Sequence, residues 1–161
     1  MPGDAPPPLP GAVLFACNLN QVRSPIAEAL LKRLLGNRVY VDSCGLKLPA
    51  MVHDDVSDED RAAGADPFAV EVMAELGWDL ARHRPKTFGD LEDSSFDLVV
   101  SLTPEAQHRS VELARGRAAD IEYWPTFDPT LTDGSREARL AAYRQVRDGL
   151  ARRIADRFGR L

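Results

Sequence analysis

The sequence predicts a single α/β domain: a doubly wound, four-stranded parallel sheet with helices on both faces. Short apolar runs recur along the chain, and segments with apolar residues at helical spacing lie between them. Proline, glycine and capping residues mark the points where one kind of segment gives way to the other. Apolar runs that alternate with amphipathic helices are typical of parallel sheets, because such strands are buried on both faces.

Four apolar runs predict the strands. They are residues 11–16, 38–43, 96–102 and 121–124. In a sheet of this kind, ligands bind beyond the carboxyl ends of the strands. Cys17 follows the first strand and the loop 125–134 follows the fourth, so both are expected at that edge.

Capping signals predict where the helices begin. Ser24 is the expected N-cap of the first helix, with Pro25 at its first helical position and Gly36 at its end. Asp66-Pro67 and Thr103-Pro104 predict the starts of the second and third helices. The first helix should bury one face, which comprises Ile26, Leu30, Leu31, Leu34 and Leu35.

A fourth and longer helix is predicted after Gly134, with Asp133 as its expected cap. Six apolar residues recur at helical spacing and form its predicted buried face. They are Leu140, Tyr143, Val146, Leu150, Ile154 and Phe158.

Length and composition restrict the functional classes. The 161 residues suit one domain, 11–161, preceded by a flexible proline-rich tail, 1–10. A net charge of −5 argues against non-specific binding to nucleic acid, and no apolar run suggests a signal peptide or membrane span. Two irregularly spaced cysteines form neither a disulfide framework nor a zinc motif, so a reducing cytoplasm is expected.

The segment from Cys17 to Ser24 is the strongest functional signal. A sharp turn between a strand and a helix can direct several backbone N–H groups at one anion. The helix N-terminus adds its dipole, and Arg23 can donate in bidentate fashion to two oxygens of a tetrahedral anion. The same field would favour the thiolate form of Cys17, to which Ser24 could donate a hydrogen bond. The alternative is that Cys17 is only a small buried residue at a strand end.

The pattern Cys-x5-Arg-Ser-Pro between a strand and a helix resembles the low-molecular-weight protein tyrosine phosphatases. Arsenate reductases of the same fold share it. Further similarities follow in the family's order over residues 11–160. They are Ser43-Cys44-Gly45 after the second strand, the stretch Gly77 to Arg84, the third strand, and Asp128-Pro129 before the last helix.

The resemblance implies roles for individual residues. Cys17 is the implied nucleophile, Arg23 the implied phosphate ligand and Asp128 the implied general acid and base. Taken alone, Asp128-Pro129 would be read as the start of a turn. The loop residues that would surround the phosphate are Asn18, Leu19, Asn20, Gln21, Val22 and Ser24, and Ser43 and His83 would support Asn20 by hydrogen bonds.

The chain also departs from the family pattern. Leu19 stands where the family usually has glycine; a left-handed backbone would be costly there, so Leu19 is expected in the pocket wall. Val22 replaces a second cysteine, and Cys44 is expected to pack in the core. Thr130-Leu131 replaces the aromatic residues that clamp a substrate ring, a role open to Trp124 and Phe127. The acidic segment 54–60 is expected to be a solvated loop.

Three functions follow from this reading. The first is a cysteine-dependent phosphomonoesterase that forms a phosphocysteine intermediate on a phosphorylated protein or a small phosphomonoester and needs neither metal nor cofactor. The second is an arsenate reductase that uses an external low-molecular-weight thiol, because 97–115 lacks the cysteines of thioredoxin-coupled enzymes. The third is a non-catalytic binder of phosphorylated partners.

Overall fold

The computed structural model describes residues 8–49, 64–91 and 95–159. The acidic segment 54–60 and residues 1–7 of the predicted tail lie outside the described residues. Within the described part of that tail, Leu9 is partly buried and packs against the core.

The predicted parallel sheet is confirmed. Its strand order is β2-β1-β3-β4, and each neighbouring pair is parallel. The strands are β1 (Ala12–Cys17), β2 (Tyr40–Gly45), β3 (Leu98–Ser101) and β4 (Asp120–Tyr123). Because β1 lies in the middle, Cys17 emerges at the centre of the carboxyl edge, beside Gly45 of β2.

Helices cover both faces of this sheet, as predicted. The α-helices of the described residues are α1 (Arg23–Leu35), α2 (Pro67–Ala74), α3 (Pro104–Ala114) and α4 (Arg136–Phe158). Short 3₁₀ turns occur at Gly36–Arg38, Phe88–Asp90 and Pro129–Leu131. None of the helices in the described ranges combines the length and the apolar character needed to cross a bilayer.

The alternation of side chains along β1 divides the core into two clusters. Val13, Phe15 and Cys17 face the cluster that includes α1, α2 and α4. Ala12, Leu14 and Ala16 face the smaller cluster, which includes Ala106 of α3. Cys44 belongs to the smaller cluster, so the two cysteines lie on opposite faces of the sheet.

The start of α1 differs from its prediction. The helix begins at Arg23 and follows Val22, which makes no side-chain capping hydrogen bond. Ser24 is therefore inside the first turn rather than at the N-cap. Its hydroxyl, which was expected to cap the helix, lies 2.9 Å from the Cys17 sulfur instead.

Two smaller predictions are also corrected. Leu34 is 40% exposed instead of buried, because the face that α1 presents to the core is centred on Ile26, Leu30 and Leu31. Ser135, and not Asp133, caps α4: its hydroxyl accepts a hydrogen bond of 3.1 Å from the N–H of Ala138.

Candidate active site

A cavity of about 280 Å³ opens at the carboxyl edge of the sheet. The loop between β1 and α1 forms most of it, and Asp128 and Thr130 close it from the loop after β4. Its lining comprises Cys17, Asn18, Leu19, Gln21, Val22, Arg23, Lys47, Asp128 and Thr130. The structure thus gathers the expected nucleophile, phosphate ligand and acid around one space.

Cys17 lies at the base of this cavity and is only 2% exposed. Its sulfur is 2.9 Å from the hydroxyl oxygen of Ser24. A thiolate can only accept, so in that state Ser24 is the donor. The uncapped N-terminus of α1 also leaves its first N–H groups free of side-chain partners, which suits an anion.

Asn20 supports the loop from within. It is buried and has a left-handed backbone, with φ +57°. Its amide nitrogen donates to the hydroxyls of Ser24, at 2.8 Å, and Ser43, at 2.9 Å. Its side-chain oxygen accepts from the N–H of Lys86 at 3.0 Å. Hydrogen bonds with Ser24, Ser43, Lys86 and His83 therefore compensate for an uncommon backbone conformation.

His83 holds the opposite side of Asn20. Its Nε2 lies 2.9 Å from the backbone oxygen of Asn20 and 3.1 Å from the side-chain oxygen. Since both partners are acceptors, Nε2 carries a proton and donates. Burial lowers the pKa of His83 below its usual range, which favours the neutral imidazole.

Gly45 permits the close approach of β2 to the loop. A Cβ at this position would lie 2.8 Å from the oxygen of Asn18 and 2.9 Å from the nitrogen of Asn20. The same Asn18 oxygen accepts a 2.8 Å hydrogen bond from the N–H of Leu46. Any larger residue at Gly45 would push the loop away from the strand that supports it.

Leu19 does not have the left-handed backbone that glycine would allow at this position of the family pattern. Asn20 is the non-glycine residue with positive φ among those described. Asparagine tolerates the left-handed region better than leucine, so the loop makes its turn one residue later. Leu19 lines the cavity, as expected.

Arg23 connects the loop to the segment that carries Asp128. Its Nη1 donates to the backbone oxygen of Thr126 at 3.0 Å, and its Nη2 lies 3.9 Å from Asp128 Oδ2. The other carboxylate oxygen of Asp128 accepts from Thr130, at 3.0 Å from its N–H and 2.6 Å from its hydroxyl. Asp128 therefore initiates a turn and also faces the cavity, so the two readings of Asp-Pro are compatible.

Two contributors were missed from the sequence. Glu28 accepts a 2.5 Å hydrogen bond from the Ser43 hydroxyl and pairs with Lys32, so it extends the support behind Asn20. Lys47 lines the cavity and supplies a second cation beside Arg23. The position of Lys47 just after the second strand was a usable signal, whereas nothing local marks Glu28 apart from its spacing to Lys32.

The remaining candidates lie away from the cavity. Trp124 is a core residue at 3% exposure, and Phe127 is 61% exposed without lining the cavity. Cys44 is buried, and its pKa is raised by that burial and by the nearby Cys17. His108 is a surface residue paired with Glu112. The described ranges contain no group of three or more His, Cys, Asp or Glu side chains suited to a metal ion.

Comparison with known proteins agrees with this geometry. Residues 12–156 match the model of the low molecular weight phosphotyrosine protein phosphatase family. An arsenate reductase of Halalkalibacterium halodurans is 30% identical over 142 residues, covering 88% of this chain and 91% of the relative. An arsenate reductase of Bacillus subtilis is 28% identical over 148 residues, covering 89% and 92%.

A solved structure shows the same fold. The low molecular weight protein tyrosine phosphatase of T. tengcongensis superposes with a TM-score of 0.71 at 24% identity, covering 93% of this chain and 99% of that one. The family model spans most of the chain and includes both the Cys17 loop and Asp128. The chain therefore belongs to the low molecular weight phosphotyrosine protein phosphatase family.

Proposed function

We propose that the protein is a cysteine-dependent phosphomonoesterase, similar to protein tyrosine phosphatases, that works through a phosphocysteine intermediate. One observation supports this most strongly. Cys17, Arg23 and Asp128 line a single cavity, and the Ser24 hydroxyl lies 2.9 Å from the sulfur. A nucleophile, an anion ligand and a carboxyl group for proton transfer are the parts that such a reaction needs.

In the first step, the Cys17 thiolate attacks phosphorus and the bond to the ester oxygen breaks. Arg23 and the N–H groups at the start of α1 stabilise the charge on the equatorial oxygens. Asp128, as the acid, donates a proton to the departing oxygen. The alcohol or phenol leaves, and the phosphoryl group stays on sulfur.

In the second step, water attacks the phosphocysteine and the bond between sulfur and phosphorus breaks. Asp128, now a carboxylate, accepts the proton of the water. Ser24 donates a hydrogen bond to the sulfur as its negative charge returns, and inorganic phosphate leaves. Neither step requires a metal or an organic cofactor.

The expected substrate is a phosphorylated protein or a small phosphomonoester. No aromatic side chain lines the cavity within the described ranges, so a flat ring gains no stacking partner there. The walls contributed by Leu19, Gln21 and Thr130 accept different leaving groups. A reducing cytoplasm suits the mechanism, because the thiol of Cys17 must stay free.

Hydrolysis of para-nitrophenyl phosphate by the purified protein tests this proposal. We expect Cys17→Ser to lower kcat by more than about 10⁴-fold, because a neutral serine hydroxyl is a much weaker nucleophile than a thiolate. The phosphocysteine should be trapped by rapid acid quenching of the wild type and should be absent from the variant. Full activity of Cys17→Ser would refute the mechanism.

Arsenate reduction is the second candidate, because curated relatives of this chain are named arsenate reductase. The Cys17 sulfur would bind arsenate, and a small external thiol would attack that sulfur. Arsenite would leave with two electrons, and a mixed disulfide would form. Cys44 is poorly placed to resolve it, since it faces the other side of the sheet and burial raises its pKa.

Thiol consumption separates the two candidates. A reductase should oxidise two equivalents of glutathione for each arsenate that it converts, and the rate should depend on Cys17. A phosphatase should hydrolyse the aryl phosphate and consume no thiol when arsenate is added.

A further inference from the structure

The cavity that contains Cys17, Arg23 and Asp128 is called the phosphate pocket below. A second cavity, of about 310 Å³, lies beside it. The segment after β4 forms one of its walls and the middle of α4 forms the other. Its lining comprises Trp124, Pro125, Thr126, Phe127, Gln145, Val146, Gly149, Leu150 and Arg153. None of these residues takes part in the chemistry proposed above.

The segment after β4 contributes residues to both cavities. Thr126 and Phe127 line the second cavity, whereas Asp128, the next residue, lines the phosphate pocket. The backbone oxygen of Thr126 accepts the 3.0 Å hydrogen bond from Arg23. The segment that would flank a bound phosphate at Asp128 is therefore the same segment that forms one wall of the second cavity.

Gly149 lines the second cavity and contributes no side chain to it. It lies inside the 23-residue helix α4, where glycine is among the least favourable residues. No packing contact requires it: a Cβ there would meet nothing nearer than the end of the Arg152 side chain, at 3.9 Å. Its backbone is not left-handed either, so a larger residue would fit and would occupy the cavity.

The chemistry of the lining suits one large side chain of a polypeptide. Trp124, Val146 and Leu150 provide a buried apolar floor, and Phe127 stands 61% exposed at the rim. The guanidinium of Arg153 stacks on Trp124, 5.2 Å from the ring centre, and restricts one end of the space. An exposed aromatic next to a half-open apolar site is typical of a protein-binding surface.

We propose that this cavity binds a large apolar side chain of a phosphorylated polypeptide substrate, a few residues from the phosphorylated one. The proposal rests on the phosphatase function proposed above and adds to it a separate subsite for a residue that flanks the phosphorylated one. An extended chain advances about 3.3 Å for each residue, so the three positions on either side of the phosphorylated residue span about 10 Å each way and are the ones to test.

Filling the cavity tests the proposal. Gly149→Leu should fill it, and Gly149→Ala, which adds one methyl group, is the matched control. The substrates are phosphotyrosine peptides that carry one leucine, or one serine at the same place, at each of three positions on either side. Para-nitrophenyl phosphate reports on the phosphate pocket alone.

We expect the wild type to favour leucine at one position by about tenfold or more in kcat/KM, as burial of such a side chain implies. Gly149→Leu should lose that preference, Gly149→Ala should keep most of it, and both should hydrolyse the aryl phosphate like the wild type. Both variants should melt no lower than the wild type. An undiminished preference in Gly149→Leu, or no preference in the wild type, would overturn the proposal.

Two measurements keep other outcomes separate. If the wild type hydrolyses nothing, the phosphatase proposal fails, and fluorescence anisotropy of the labelled peptides with both proteins still tests the subsite. If the wild type sediments as a dimer and Gly149→Leu as a monomer, a second copy of the chain occupies the cavity, and the peptide proposal is wrong.

Discussion

The two sides of the phosphate pocket are supported very differently. On the Cys17 side, Asn20 is buried and engaged by Ser24, Ser43, His83 and Lys86. On the other side, the side chain of Asp128 is 31% exposed, and among the described residues its carboxylate accepts hydrogen bonds from Thr130, with Arg23 at 3.9 Å. The contrast indicates that the proposed anion site is prearranged, whereas the carboxyl group keeps access to solvent.

This difference suits the proposed roles of the two sides, which are anion binding by the loop and proton transfer by Asp128. The ligands of a developing anion work best when they need no reorganisation during the reaction. A group that first donates and then accepts a proton needs access to the leaving group and to the water that follows. Substitutions on the two sides should therefore affect different quantities.

The largest expected effect is on catalysis, from Asp128→Asn. With a poor leaving group such as phenol, kcat/KM should fall by about 10²- to 10⁴-fold, because no proton is supplied to the departing oxygen. With the better leaving group para-nitrophenol, the loss should be smaller. Denaturant unfolding should show a stability within about 0.5 kcal/mol of wild type, since asparagine can still accept from Thr130.

The result would contradict this assignment if the loss of kcat/KM were the same for both leaving groups, because kcat/KM reports only the steps up to the departure of the leaving group. In that case Asp128 would act on the geometry of the pocket and not as the acid. Thr130→Ala is the control for the turn, because it removes a partner of the carboxylate and leaves the carboxyl group in place.

The next effect is on stability, from Asn20→Ala. This substitution removes the partner of several buried groups, so the free energy of unfolding should fall by about 3 kcal/mol in chemical denaturation. Asn20→Gly is the matched control. It should be about 1 kcal/mol more stable than the alanine variant, because only alanine is strained at φ +57°.

Equal stabilities of the two variants would mean that the left-handed backbone is not retained without the side chain. A loss as small as that of Asp128→Asn would remove the contrast between the two sides. Activity of Asn20→Gly adds a further measure, since phosphate affinity should fall as the loop loses its support.

The smallest effect is a pH dependence that arises from His83. Burial lowers the pKa of His83 in the folded protein. At pH values just below the ordinary histidine pKa of about 6.5, the unfolded chain therefore binds more protons than the folded protein. The free energy of unfolding should therefore decrease as the pH falls from 7 through 6.5 towards the folded-state pKa. Urea titrations of the wild type and of His83→Gln, at several pH values, measure this contribution.

Glutamine keeps an N–H donor for Asn20 but does not titrate in this range. We expect a weaker pH dependence between pH 7 and 5 in His83→Gln than in the wild type. Identical slopes for the two proteins would show that His83 does not contribute.

Most of the fold could be predicted from the sequence, because the signals for strands and helices lie within each segment. The apolar runs and the amphipathic spacing of Leu140 to Phe158 predicted the sheet and α4, since burial depends on periodicity. The motif from Cys17 to Ser24 indicated the kind of site in the same way. The N-cap of α1 was predicted wrongly because the Ser24 hydroxyl contacts a side chain that the helix signal does not include.

Only the tertiary structure decided how distant residues meet. The contact of Glu28 with Ser43 and the approach of Gly45 to the loop both join segments that no local pattern connects. The cavity lined by Gly149 depends on a loop that lies more than twenty residues earlier in the chain. The sequence by itself thus determined the candidate motif and the strand and helix that flank it. Packing determined which side chains support that motif and which cavity lies beside it, because contacts between separate elements depend on how those elements are placed.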